Sequence, residues 1–360
     1  MLFLLTDCSN MALRAWRVCA RFSLPIVLTL SAHVGQPLAA GPQAETPEIA
    51  VGPQYDSTHV YVKAADVDAF VNSVLATLGG KASARIPATV TPTPSKAQFQ
   101  YVLTPLGTLS IFAYETPIPY PFGLERTGWL VSDIDLALKA ARDNGGEVIA
   151  DKWRDPIGYD AIIQWPGGVK MQLYSHFRSP KYEPLNAVPE TRVYVSRDTA
   201  DAFVHGIIGF SQGIVVSDDL HADAAELGRP GEAFRRIRLD SHFGKLQVNV
   251  TDGHLPYPFG YEITGYEVKD LDVTLEKCKQ NGVTVLSTRF DGADRSSVIV
   301  QFPGGYIAEL HQLHRHDIVA VAIPKAKEGV AVRWVLQLYR CAGAGAMWSA
   351  LSANSVLRRT

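Results

Sequence analysis

The chain has 360 residues, of which 47% are hydrophobic and 19% are charged, and its formal net charge is −2. This balance is typical of a globular protein with a sizeable core and excludes the disordered and fibrous classes. The basic excess that marks nucleic-acid-binding domains and polybasic membrane patches is lacking, so we expect a small-molecule partner.

The first 54 residues have the features of an export signal followed by a linker. Arginines precede an apolar run over residues 22–34, and small residues at positions 38–40 would allow cleavage before Gly41. The run is too short to span a bilayer. We therefore expect residues 1–40 to be a secretory signal, residues 41–54 to be a linker, and the mature protein to be secreted or periplasmic without membrane association.

Four strand-to-helix transitions follow in chain order. Residues 58–63 alternate polar and apolar side chains, and apolar residues then recur at helical spacing up to Gly79. The same pattern recurs at residues 127–145, 191–208 and 264–282. Each helix precedes short alternating segments separated by Gly or Pro, which predicts four βαβββ units.

An internal repeat groups these units into two pairs. Residues 119–173 recur at 256–310, a constant 137 positions later, with the motifs PYPFG, E-x-TG and Q-[WF]-PGG in both copies. We read the repeated Pro and Gly residues as structural, because they keep the same backbone path in each copy. A duplication of this size predicts two modules, at 55–177 and 188–314, joined by a linker at 178–187.

The predicted class is therefore α+β, with two cupped mixed sheets that form an intramolecular pseudo-dimer. A small ligand would bind in such a cup. We expect the protein to be a monomer. Residues 315–360 have no counterpart in the first copy, and their Ala, Gly and Ser content predicts a loosely ordered tail. Cys278 lies on the apolar stripe of a predicted helix, which favours a buried structural thiol.

Strand openings of the form H-V-x-V, a V-x-D-x-D transition into the helix and a closing PGG-x3-[EQ]-L strand resemble the vicinal oxygen chelate superfamily. This superfamily includes glyoxalase I, extradiol dioxygenases, bleomycin resistance proteins and fosfomycin resistance enzymes. The resemblance covers about residues 56–314. It implies a divalent metal held in each cup by the opening and closing strands, most often through His, His and Glu, with Lewis-acid or dioxygen chemistry at that metal.

The residues at the implied ligand positions form incomplete sets within each module. The first module offers His59, Arg126 and Gln172, and the second offers Arg192, Ile263 and Glu309. Neither set completes a metal site, because a guanidinium group has no free lone pair and an Ile side chain has no donor atom.

Some glyoxalases combine the first unit of one module with the second unit of the other, and that pairing implies a different grouping. One cup would hold His59 and Glu309 as metal ligands, with Glu309 also catalytic, beside Ser110 and Ile263. A further donor would be needed, from Ser110, Glu262, Gln247, His311 or the substrate. The other cup would use Arg126, Arg192, Gln172 and Gln247 to bind an anionic group.

Two functional hypotheses follow from the resemblance. The first is a metal-dependent lyase of the glyoxalase type or an extradiol-type dioxygenase, with Fe, Ni, Zn or Mn and a small anionic or vicinal-oxygen ligand. The second is a metal-free protein that binds or sequesters a small molecule, as bleomycin resistance proteins do; the incomplete ligand sets motivate it. The structural alternative is that His59 is an interior histidine and that Arg126 and Arg192 only pair with nearby carboxylates.

Overall fold

A computed structural model describes residues 48–314 of the chain. The predicted signal segment, most of the following linker and the predicted C-terminal tail lie outside the described residues. Within residues 48–314, no helix is long and apolar enough to cross a bilayer.

The first sheet contains nine strands, all from residues 57–176. Its order is β2-β4-β5-β1-β6-β9-β8-β7, and β3 pairs with β4. The strands are β1 (Ser57–Tyr61), β2 (Lys81–Ala82), β3 (Ile86–Ala88), β4 (Ala97–Thr104), β5 (Gly107–Tyr114), β6 (Thr127–Leu130), β7 (Glu147–Arg154), β8 (Gly158–Gln164) and β9 (Lys170–His176).

The second sheet repeats this arrangement with nine strands from residues 190–313. Its order is β11-β12-β13-β10-β14-β18-β17-β15, and β16 pairs with β17. The strands are β10 (Glu190–Val195), β11 (Ile214–Asp223), β12 (Ala233–Ser241), β13 (Gly244–Val250), β14 (Ile263–Glu267), β15 (Thr284–Val285), β16 (Phe290–Asp291), β17 (Arg295–Gln301) and β18 (Ile307–Leu313).

Backbone hydrogen bonds join the two units of a module through their opening strands. In the first sheet β1 and β6 are antiparallel neighbours, and each is parallel to the last strand of its own unit, β5 or β9. In the second sheet β10 and β14 are related in the same way to each other and to β13 and β18. The predicted α+β class, with four βαβββ units in two cupped mixed sheets, is confirmed.

Each unit contributes one helix: α1 (Val67–Leu78), α2 (Ile134–Asp143), α3 (Arg197–Ser211) and α4 (Leu271–Gln280). The repeated V-x-D-x-D motif determines where α2 and α4 begin. The side chain of Asp133 accepts hydrogen bonds from the backbone N–H groups of Asp135 and Leu136, and Asp270 accepts one from Val273. An aspartate at this position satisfies donors that the first helical turn leaves unpaired.

Both modules contribute to each of two main hydrophobic cores. One core packs α2 and strands of the first sheet against α3 and strands of the second, with Trp129 stacked on Phe243 at 4.4 Å between ring centroids. The other packs α1 against α4 and includes the fully buried Cys278. The helices thus occupy one face of each sheet, and the opposite face forms the cup.

Candidate functional site

The cup of the first sheet encloses a cavity of about 330 Å³. Side chains of a strand point alternately to its two faces, so every second residue of β1, β4, β5, β8 and β9 points into the cup. The aromatic and polar residues that line the cavity include His59, Tyr61, Tyr101, Phe112, Gln172 and Tyr174. We call this cavity the first cup.

A buried cluster of three polar residues lies in the wall of the first cup. Tyr61 donates a hydrogen bond from its hydroxyl to Glu125, and Nδ1 of His59 lies 3.7 Å from Oε1 of the same carboxylate. Within residues 48–314, Nδ1 of His59 and Oε2 of Glu125 have no hydrogen-bond partner. Because buried polar atoms are normally paired, two unpaired atoms in residues that line a cavity indicate a place for a ligand or a water molecule.

The carboxyl groups of the first cup differ in their ionisation. Burial tends to raise the pKa of Glu125, but the interaction with His59 and the hydrogen bond from Tyr61 keep this pKa below its usual value. Burial, together with repulsion from Asp155, raises the pKa of Asp160 well above its usual value, although Gln172 donates a hydrogen bond of 2.9 Å to it. The surroundings therefore favour the carboxylate form of Glu125, whereas burial favours the neutral form of Asp160.

No Lys or Arg side chain from the described part of the chain lines the first cup. Its surface combines aromatic rings with the acidic side chains of Glu125 and Asp155. The anionic ligand was expected in the other grouping, with Arg126, Arg192, Gln172 and Gln247. In the first cup an anion would be repelled by Glu125 without a lining cation to compensate.

The cup of the second sheet is occupied by a network of buried ion pairs. Arg192, only 1% exposed, forms ion pairs with both Glu226 and Glu309, and Nδ1 of His311 lies 2.9 Å from Oε2 of Glu309. Arg236 contacts the remaining oxygen of Glu226 at 2.6 Å. These charges are matched within the protein, as buried charges must be to remain ionised.

Further polar groups extend this network. The side chain of Gln247 donates hydrogen bonds to Glu226 at 2.9 Å and to Asn249 at 3.0 Å. Arg295 forms two hydrogen bonds with Glu190, at 2.8 Å and 3.2 Å. Burial opposes the ionisation of Glu190, but Arg295 lowers its pKa to about 2. In the same way, Arg192 and then His311 hold the pKa of Glu309 well below its usual value against the effect of burial.

The sheet order corrects the cross-module grouping of the predicted site residues. His59 lies on β1 of the first sheet and Glu309 lies on β18 of the second, so they do not share a cup. Gln172 lines the first cup, whereas Arg192 and Gln247 belong to the network in the second. The modules contact each other in the hydrophobic cores and also through their opening strands, where Thr58 on β1 hydrogen-bonds to Thr264 on β14 at 3.0 Å. These strands belong to different sheets and do not form a shared cup.

The remaining predicted positions are also distributed between the modules. Ser110 lies beside His59 in the first cup, and His311 contacts Glu309 in the second. Arg126 and Ile263 line a separate pocket at the junction of the modules. Arg126 forms no ion pair with a carboxylate of the described residues, contrary to the structural alternative; its guanidinium stacks over the ring of Tyr61 at 5.3 Å.

The donor groups in the cups do not fit the divalent metal that the resemblance implied. Within residues 48–314, no three His, Cys, Asp or Glu side chains converge as metal ligands. His59 has no second histidine or Glu309 beside it, and the carboxylate of Glu309 already contacts Arg192 and His311. A guanidinium in contact with the carboxylate repels a second cation, and the structural and catalytic metals of proteins usually need three or four ligands.

Sequence reasoning missed two important residues. Glu125 belongs to the repeated E-x-TG motif, and its position beside the opening strand could have marked it as part of the cup. Glu226, which holds Arg192, lies in a 3₁₀ turn (Ala224–Leu227) outside the repeated segment. Only the tertiary structure brings this turn over the second cup.

No protein-family model matches the chain, and no curated protein matches it. A triple mutant of 4-hydroxymandelate synthase from Streptomyces coelicolor is similar in structure, with a TM-score of 0.49, 13% identity, and coverage of 74% of this chain and 93% of that chain. A xylose isomerase-like TIM barrel/4-hydroxyphenylpyruvate dioxygenase fusion protein has a TM-score of 0.45 and 15% identity; the match covers 76% of this chain and 52% of that chain. Similarity at these values assigns no activity or substrate to this chain. The paired βαβββ units have the arrangement expected of the vicinal oxygen chelate superfamily.

Proposed function

We propose that the protein binds a small organic molecule in the first cup, that this molecule is aromatic or apolar and either neutral or positively charged, and that no metal takes part. The observation that carries the proposal is the aromatic cavity of about 330 Å³ with a carboxylate and no lining Lys or Arg from the described residues. This is the second of the two hypotheses drawn from the sequence.

The size and lining of the cavity support a small-molecule ligand. Its volume lies at the lower end of the range for ligand pockets, which is roughly 300–1,000 Å³. Phe112 packs edge-on against His59 and stacks with Tyr61, with ring centroids 5.2 Å and 5.3 Å apart. These contacts hold the rings in place before a ligand enters, which reduces the entropy lost on binding.

The charge of the cup supports a preference between ligands of equal shape. A cation above the ring of Tyr101 would be attracted by its π-electrons and by the carboxylate of Glu125. A neutral ligand would gain the aromatic contacts alone. An anion would have to overcome repulsion from Glu125, so the expected order of affinity is cation, then neutral molecule, then anion.

The proposal is tested by calorimetric titration with benzylammonium and benzyl alcohol, in the presence of a chelator. We expect saturable binding of benzylammonium and weaker binding of benzyl alcohol in the first cup. Glu125→Gln should weaken benzylammonium binding at least about tenfold, since a charge-assisted contact of roughly 1.4 kcal/mol corresponds to that factor. Benzyl alcohol should bind this variant nearly as it binds the wild type.

The matched control is Glu276→Gln, which makes the same substitution at an exposed position of α4. It should leave both titrations unchanged. Equal loss of benzylammonium affinity in both variants would contradict the proposal, as would binding that requires an added divalent metal. Tyr101→Ala, which removes an aromatic wall without touching Glu125, should weaken both benzylammonium and benzyl alcohol.

A further inference from the structure

A second cavity, of about 190 Å³, lies at the junction of the two modules. We call it the junction pocket. Its lining includes Arg126 from the first module and Glu262, Tyr257, Tyr261, Thr264 and Tyr306 from the second. His59 and Tyr61 line both the junction pocket and the first cup, so these two side chains separate the cavities.

Arg126 brings to the junction pocket a positive charge that forms no direct salt bridge with the described residues. Its guanidinium lies over the ring of Tyr61, and among residues 48–314 no carboxylate is within ion-pair distance of it. The arginines of the second module's buried network differ in this respect, because Arg192, Arg236, Arg238 and Arg295 all pair with carboxylates. A guanidinium that stands alone in the wall of a cavity is suited to bind a carboxylate through its N–H groups.

Glu262 is the acid that shares this pocket with Arg126. It accepts a hydrogen bond of 2.8 Å from the hydroxyl of Thr127, and its remaining surface faces the cavity. Burial raises the pKa of Glu262 to about 7, although Thr127 and then Arg126 act to lower it, and repulsion from Glu125 raises it further. Below that pH the group is a carboxylic acid that can donate a hydrogen bond.

We propose that the junction pocket binds a small monocarboxylate, which accepts hydrogen bonds from the guanidinium of Arg126 and from the carboxylic acid of Glu262. The site has one cation and one neutral donor, so a single negative charge completes it. The rings of Tyr257, Tyr261 and Tyr306 favour an apolar or aromatic body on the ligand. This site is separate from the first cup and prefers the opposite charge.

The site should lose its ligand as the pH rises through neutrality. When Glu262 ionises, its hydroxyl donor is lost and both of its oxygens become acceptors. The new negative charge repels the ligand and neutralises Arg126. The titratable and charged groups around Glu262 are Arg126, Glu125, His59, Tyr61, Tyr257, Tyr261 and Tyr306. Burial raises the pKa values of Tyr61 and Tyr306 well above that of a free tyrosine, so these two phenols stay neutral across this range.

Calorimetric titration of the whole protein with benzoate between pH 5.5 and 8.5 tests the proposal. We expect saturable binding at pH 6 that weakens by about tenfold per pH unit above pH 7, because each ligand then requires the uptake of one proton. Titrations at pH 8 in buffers of different ionisation enthalpy should register that proton. Benzamide, the uncharged analogue, should bind more weakly at pH 6.

Two substitutions separate the roles of the residues. Arg126→Gln should reduce benzoate affinity at pH 6 at least about tenfold, whereas Arg154→Gln should not; Arg154 stacks on Phe177 at 5.0 Å in a similar contact outside the pocket. Glu262→Gln should bind benzoate at every pH with little dependence on pH, since the amide retains a donor and cannot ionise. Circular dichroism shows whether a variant has kept its fold. Arg126→Lys keeps the charge but loses the planar fork, so it shows whether the site itself has been lost.

The proposal is overturned if benzoate does not bind at pH 6, or if Arg126→Gln binds it like the wild type. If Glu262→Gln kept the full pH dependence, a group other than Glu262, such as His59, would be responsible for it, and this result would also contradict the proposal. Failure of the first cup would be seen separately, because that site is probed with benzylammonium and the Glu125 variant. Saturating benzylammonium should leave benzoate bound.

Discussion

Gly128 on β6 lies directly against His59 on β1. A Cβ atom at Gly128 would come within 2.4 Å of Nε2 of His59 and 3.0 Å of Cε1 of Tyr174. Its counterpart in the repeat, Gly265, would place a Cβ 2.4 Å from Oε2 of Glu309. The repeated TG dipeptide therefore leaves space for one central side chain in each cup, and close approach rather than an unusual φ requires the glycine.

Gly128→Ala is expected to push His59 out of its position in the first cup. The overlap should cost about 1–3 kcal/mol in the free energy of unfolding, as overpacking of a buried site commonly does. Benzylammonium affinity should fall at the same time. Urea unfolding and calorimetric titration measure the two effects. Gly265→Ala, the matched variant of the second cup, should be destabilised without losing benzylammonium binding; wild-type affinity in Gly128→Ala would contradict the assignment.

Arg192→Met is expected to destabilise the protein severely. It removes the one cation that contacts both Glu226 and Glu309, which are 3% and 0% exposed, and leaves these buried carboxylates with only Arg236 and His311 as charged partners. Breaking such a buried pair costs about 3–5 kcal/mol. Arg235→Met is the control, since Arg235 pairs with Asp201 and Asp218 near the surface and such pairs contribute about 1 kcal/mol or less. Similar losses in both variants, measured by urea unfolding, would argue against a buried network.

Glu262→Gln is expected to stabilise the protein increasingly as the pH rises from about 4.3 to about 7. The folded pKa of Glu262 is about 7, and the unfolded value is near 4.3, so the advantage of the neutral acid is fully present below about pH 4.3 and is lost as the pH rises to about 7. The Gln side chain of the variant cannot ionise, so the variant keeps this advantage at every pH. The difference in unfolding free energy between variant and wild type should thus grow across this window and then level off, on the order of 1–2 kcal/mol after allowance for partial exposure.

Urea unfolding of both proteins at half-unit pH intervals gives this difference directly. A variant that is equally stable relative to the wild type at pH 4.5 and pH 8 would show that Glu262 has an ordinary pKa. The control is Glu276→Gln, for which no pH-dependent difference is expected because its carboxyl is exposed.

Chelation is expected to leave the protein unchanged. The donors in the two cups do not converge as metal ligands, and Arg192 contacts the carboxylate of Glu309. Thermal melts before and after exhaustive dialysis against a chelator should coincide, and added Zn²⁺, Mn²⁺ or Fe²⁺ should not raise the melting temperature. A metal-dependent increase that disappears in His59→Ala would restore the metal hypothesis.

The sequence predicted the architecture well because its signals are local and occur more than once. The strand alternation at residues 58–63 and the helical spacing up to Gly79 correspond to β1 and α1, and the repeated V-x-D-x-D motif contains the N-terminal caps of α2 and α4. The site was predicted less well. His59 lies in a cup as expected, but its partner is Glu125 rather than Glu309.

The reason is that grouping of side chains depends on which strands pair, and both ways of pairing the four units satisfy the same alternation. Backbone hydrogen bonds between β1 and β6 and between β10 and β14 decide the matter. The role of Arg192 also could not be assigned from the sequence, because a guanidinium group binds an anionic ligand and a buried carboxylate of the protein equally well. The presence of Glu226 over the second cup identifies it as part of an ion-pair network.

By itself, then, the amino-acid sequence determined that the chain contains two copies of a paired βαβββ module. Hydrophobic periodicity, helix caps and turn residues each act over a few residues, and the same patterns occur in both copies. Tertiary structure alone decided that one cup is an open aromatic cavity, that the other is filled by matched charges, and that Arg126 and Glu262 meet at the junction of the modules. These outcomes depend on desolvation and on distances between residues far apart in the chain, and no local pattern records either quantity.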